Sequence, residues 1–140
     1  QYPFKAPIEN LSMTLASFLK QADSLNATGN PAQFLYLQEC LSGHEELAEE
    51  FSSWDWQLLV QASVTCGWGL PTSNELFVGM RGAETPLHFD ERENLFVQVR
   101  GRKEVVLYPF TDYTKLYPFP TNHPCDRQSM VGSPLHPDFD

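Results

Sequence analysis

Apolar positions follow helical spacing early in the chain and short, strand-like runs later. Leu15, Phe18, Leu19, Ala22 and Leu25 predict one amphipathic helix, with Ser12 or Thr14 available as its cap. The polar run from Asn26 to Pro31 ends it. Phe34 to Leu37 reads as a short strand. His44 to Phe51 reads as a second, acidic helix with Leu47, Ala48 and Phe51 turned inward, followed by the packing aromatics of Trp54-Asp55-Trp56. The pattern then changes. Glu75 to Met80, Leu95 to Val99 and Glu104 to Tyr108 are β-branched or aromatic runs separated by glycine-bearing turns. Arg100-Gly101-Arg102-Lys103 predicts a hairpin between the last two. From Pro109 onward six of the eleven prolines crowd together and argue against regular pairing. Helices first and an antiparallel β region afterwards give an α+β chain, mainly β.

Composition narrows the function classes. The 140 residues suit one domain large enough to bury a core. With 41% hydrophobic and 13% aromatic residues, the chain is unlike a disordered segment. A net charge of −9 argues against nucleic acid as a partner, because a phosphate backbone needs a basic surface. No apolar run, Leu58-Leu59-Val60 included, approaches the roughly 20 residues that span a bilayer, so no membrane partner is expected. Cys40, Cys66 and Cys125 are odd in number and widely spaced, without a CxxC pair. No secretory signal stands near Gln1, and a cytoplasmic or nuclear location is expected. Asn10-Leu11-Ser12 and Asn26-Ala27-Thr28 match the glycosylation pattern, which is common by chance.

Few residues offer chemistry. Gly67-Trp68-Gly69 is no dinucleotide loop, since Thr72 replaces the third glycine and no helix is predicted after it. A histidine stands two residues before a carboxylate three times, as His44/Glu46, His88/Asp90 and His136/Asp138. On a helix, positions i and i+2 diverge, which disfavours the first pair. The third lies among prolines. His88-Phe89-Asp90 adjoins β segments, where alternate residues share a face, so imidazole and carboxylate could converge on one metal. A buried histidine hydrogen-bonded to aspartate is the other reading. Lys103 follows fifteen residues later; it is either a solvated turn lysine or a cation for the far end of a dicarboxylate cosubstrate. Thr85 and Tyr36 could add hydroxyl donors there.

Thr85-Pro86-Leu87-His88-Phe89-Asp90-Glu91-Arg92-Glu93-Asn94 is the most distinctive stretch. With Tyr36-Leu37-Gln38, Gly67-Trp68-Gly69, Thr72-Ser73-Asn74, Leu116-Tyr117-Pro118 and His123-Pro124-Cys125-Asp126-Arg127-Gln128-Ser129, it resembles the jumonji-C-type, cupin-fold asparaginyl hydroxylases. The resemblance runs from about Phe34 to Phe139. The apolar spacing places an N-terminal helical segment over 1–33, and the resemblance implies over 34–140 the first part of a double-stranded β-helix holding Fe(II) and 2-oxoglutarate. By motif, His88 and Asp90 would be iron ligands. Tyr36, Thr85, Asn94 and Lys103 would line the cosubstrate site, with Lys103 on the distal carboxylate. Gln38, Arg127 and Gln128 would hold the target side chain, and Trp68 would lie near the substrate groove.

The implied activity is hydroxylation of asparagine in ankyrin-repeat or hypoxia-inducible-factor-like segments, by a full-length homodimer. Phe89 and Arg92 depart from the family pattern near the metal strand. Neither His123 nor His136 matches the family's second iron histidine, which is expected beyond Asp140, so these 140 residues alone are expected to be inactive. Two other readings are a catalytically silent cupin-like peptide-binding module and a jumonji-type lysine demethylase. The demethylase would need a pocket for a quaternary ammonium, and Gln38 with Arg127-Gln128 suits a carboxamide instead.

Overall fold

A computed structural model describes residues 8–29 and 32–131. The chain forms two compact units, one of Leu11–Ala83 and one of residues 1–10 with 84–140.

In the first unit, helix α1 spans Leu15–Ala27 and buries Phe18 and Ala22. Its cap is Thr14 rather than Ser12: the extended Thr14 backbone lets Oγ1 accept from the Ser17 N–H at 3.2 Å. Thr28 closes the far end by donating its hydroxyl to the Leu25 carbonyl. Strand β1 covers Tyr36–Cys40, two residues later than the predicted start, and leads through a 3₁₀ turn at Leu41–Gly43 into helix α2, Glu45–Ser52.

Helix α3, Trp56–Thr65, was not expected. Asp55 caps it by accepting from the Leu58 N–H at 3.0 Å. The aromatics before it lock the junction. Trp54 stacks on Trp56 with ring centroids 6.1 Å apart, Phe51 meets Trp54 edge-on, and the Trp56 indole donates to the Phe51 carbonyl at 2.6 Å. Strand β2, Glu75–Gly79, then pairs antiparallel with β1, setting Tyr36 opposite Gly79 and Gln38 opposite Phe77. Gly79 makes room for the Tyr36 ring, since a Cβ there would come within 3.2 Å of it. Among the described residues helix thus exceeds strand, where a mainly β chain was predicted.

The second unit has no strand or α-helix among its described residues. Its order comes from isolated antiparallel bridges, His88 with Gln128 and Pro118 with Ser129, which set segment 127–130 between 87–89 and 117–119. A 3₁₀ stretch covers Phe110–Leu116. The predicted hairpin does not form: Leu95 to Val99 and Glu104 to Tyr108 lack strand pairing. Their side chains explain this, since Phe96, Val97, Val99, Val105 and Leu107 all face solvent. A β-branched run becomes a strand when it gains cross-strand partners and a covered face, and these runs have neither. A closed double-stranded β-helix is therefore absent among the described residues. The core is small, with Phe18, Ala22, Met80 and Cys125 as the buried apolar residues among those described.

Candidate functional site

The bridge at His88 builds the site. The Phe89 N–H donates to the Arg127 carbonyl at 3.1 Å, and the Ser129 N–H donates to the Leu87 carbonyl at 2.8 Å. These bonds flank His88 and Gln128, making them a directly opposed, non-hydrogen-bonded pair whose side chains lie on one face. Arg127 adopts a left-handed backbone (φ 69°), which shapes the turn that delivers Gln128 to this position. Ser129 anchors the same segment by donating its hydroxyl to the Leu116 carbonyl and accepting from the Val131 N–H at 2.9 Å.

The tautomer of His88 follows from its partner. Its Nδ1 lies 2.8 Å from the Pro86 carbonyl, which can only accept, so Nδ1 carries the proton. In the neutral ring Nε2 then carries the lone pair. That atom stands 3.7 Å from Asp90 Oδ1. A lone pair facing a carboxylate is unfavourable unless a cation or a second imidazole proton lies between them. Asn94 donates from Nδ2 to Asp90 Oδ2 at 2.9 Å and reaches the Arg92 carbonyl at 3.4 Å. The donor set of imidazole nitrogen and carboxylate oxygen, with the other ring nitrogen on a carbonyl, suits a first-row divalent metal. Among the described residues no group of three or more His, Cys, Asp or Glu forms a complete metal set. His88 and Asp90 fit two positions of a facial triad.

The remaining predicted residues divide between the units. Thr85 is exposed on the approach to His88. Lys103 is exposed, with Nζ 4.9 Å from the centre of the Phe96 ring. Tyr36, Gln38 and Trp68 belong to the Leu11–Ala83 unit. Tyr36 packs its ring against Phe77 with centroids 5.9 Å apart. Gln38 is exposed on β1, and Trp68 follows α3 with its N–H on the Ser63 carbonyl. His123 is not near a triad arrangement: it stacks on Phe119 at 4.4 Å, and its Nδ1 accepts from the Cys125 N–H at 3.0 Å. His44 pairs with Glu39 at 3.3 Å rather than with Glu46. His136 and Asp138 lie outside the described residues. The sequence reading missed the Pro86 carbonyl that holds His88 Nδ1. It also missed Tyr113, whose ring meets Phe89 edge-on at 5.7 Å and for which no local signal exists.

A family model described as a cupin-like domain matches residues 4–140. The chain belongs to the cupin-like domain family. Over 64 residues it is 37% identical to a lysine-specific demethylase, JMJ30 of Arabidopsis thaliana. That match covers 46% of this chain and 15% of the relative. No solved structure matches the chain significantly. Cupin-like domains of the jumonji-C type generally use Fe(II) and 2-oxoglutarate, and the donors at His88 and Asp90 are of the kind such an ion takes. No helix among the described residues is long and apolar enough to cross a membrane.

Proposed function

We propose that the chain carries part of the catalytic centre of an Fe(II)- and 2-oxoglutarate-dependent protein hydroxylase acting on asparagine in ankyrin-repeat or hypoxia-inducible-factor-like segments. The observation that carries this reading is the His88/Asp90 pair, with the His88 lone pair turned toward the carboxylate. Fe(II) bound there with 2-oxoglutarate would supply the oxygen-activating chemistry that inserts an oxygen atom into a C–H bond.

The chain's own groups hold and orient. His88 and Asp90 would supply metal donors, and Lys103 and Thr85 would bind the cosubstrate, Lys103 through its distal carboxylate. Gln128, opposite His88 on one face, favours an amide target, since a primary carboxamide can donate to and accept from the target carboxamide. Arg127, beside Gln128, would complete that recognition.

The similarity to a lysine-specific demethylase favours a second reading, removal of methyl groups from lysine. One experiment separates them. The full-length protein is incubated with Fe(II), ascorbate and 2-oxoglutarate beside an ankyrin-repeat peptide or a methyl-lysine peptide, and succinate and peptide mass are measured. Gain of one oxygen on asparagine, abolished by His88→Ala, is the expected result. Loss of a methyl group with formaldehyde release would establish the second reading instead. Absence of succinate with either peptide, together with peptide binding, would make the protein a silent cupin-like module.

A further inference from the structure

The two atoms that would face a metal are each held from behind. His88 is tied through Nδ1 to the Pro86 carbonyl, and Asp90 is tied through Oδ2 to Asn94. The near atoms, Nε2 and Oδ1, are left 3.7 Å apart. We infer that Asn94 is a positioning residue for Asp90: it occupies one carboxylate oxygen so that the other is presented beside the His88 nitrogen. The inference rests on the reading of His88 and Asp90 as metal ligands. It goes beyond that reading by giving Asn94 a task in the metal site that needs no cosubstrate.

The physical case is local. Rotation of a carboxylate about its last torsion is soft, and Asp90 is half exposed, so packing does not fix it. A hydrogen bond from a neutral amide selects one rotamer without adding charge. The amide cannot be reversed, because Nδ2 lies between two acceptors, the Asp90 carboxylate and the Arg92 carbonyl. A donating NH₂ also cannot compete for the metal, having no lone pair to offer. Asn94 follows Asp90 by four residues, so one short turn supplies both ligand and support.

The test is a titration of the full-length protein with Co(II), a redox-stable stand-in, with no 2-oxoglutarate present. Affinity and the visible Co(II) absorption are read together. Loss of an outer-shell partner typically costs 10–100-fold in metal affinity, and exposure places this one at the low end. Asn94→Ala should therefore weaken Co(II) binding about tenfold and alter the absorption spectrum. Asn94→Ser, which keeps a donor, should recover part of both. Circular dichroism of both variants should match the parent, since Asn94 is on the surface. Unchanged Co(II) affinity and spectrum in Asn94→Ala would overturn the positioning role. No Co(II) binding by the parent, or binding that survives His88→Ala, would overturn the metal reading itself and this inference with it.

Discussion

The two units of the chain are stabilised in different ways. In Leu11–Ala83, α1 and α3 are capped by Thr14 and Asp55, each within three residues of the N–H it satisfies, and α2 carries Glu45 and Glu46 in its first turn. From Glu84 to Val131, backbone pairing rests on bridges such as His88 with Gln128, forty positions apart in sequence. The helices of the first unit are specified by neighbours along the chain, and only its two-stranded sheet joins distant segments, β1 and β2. The second unit depends on partners distant in sequence, and Leu95 to Leu107 forms no strand. The candidate metal residues belong to the second kind. Their face is completed by a turn that Arg127 enters with a left-handed backbone.

Three substitutions sharpen this contrast. Phe18→Ala removes a side chain that is 5% exposed and should cost about 3 kcal/mol of stability, read as a lowered urea midpoint. An unchanged midpoint would mean that α1 adds nothing to the stability of its unit. Asp55→Ala removes the α3 cap and should cost about 1 kcal/mol, visible as an earlier helical melt in the far ultraviolet. Leu107→Ser alters a side chain that is 86% exposed and should change stability by less than about 0.5 kcal/mol. It should also reduce self-association, measured by light scattering, because it interrupts an exposed apolar run. A large loss of stability in Leu107→Ser would show that the segment is packed, and the contrast would fail.

Legibility in the sequence followed the same division. The first helix was readable because its apolar period and its cap lie within a few residues of each other. Helix α3 was hidden because Trp54-Asp55-Trp56 reads as an aromatic cluster, yet Asp55 before Trp56-Gln57-Leu58-Leu59 is a cap signal that could have revealed it. Leu95 to Val99 carries strand propensity without a partner, and propensity alone did not make a strand there. The spacing of His88 and Asp90 suggested convergence, and their near atoms lie 3.7 Å apart although His88 forms a single bridge and not a strand. The register that sets Gln128 across from His88 was not readable, because no local pattern encodes pairing between such distant segments. Asn94 was assigned from resemblance to the cosubstrate, whereas its hydrogen bond to Asp90 depends on a side-chain torsion that sequence does not display.

The tryptophan stack gives the protein an optical asymmetry. Trp54, Trp56 and Trp68 all fall within Leu11–Ala83, and the chain has no other tryptophan. Red-edge emission therefore reports that unit alone. The nearly parallel Trp54 and Trp56 rings, inclined by 18°, couple their transitions and should produce a split near-ultraviolet dichroic band. The Glu84–Val131 unit holds no tryptophan and carries Tyr108, Tyr113 and Tyr117, while Tyr36 belongs to the first unit. A melt followed by tryptophan emission alone would therefore miss unfolding around His88.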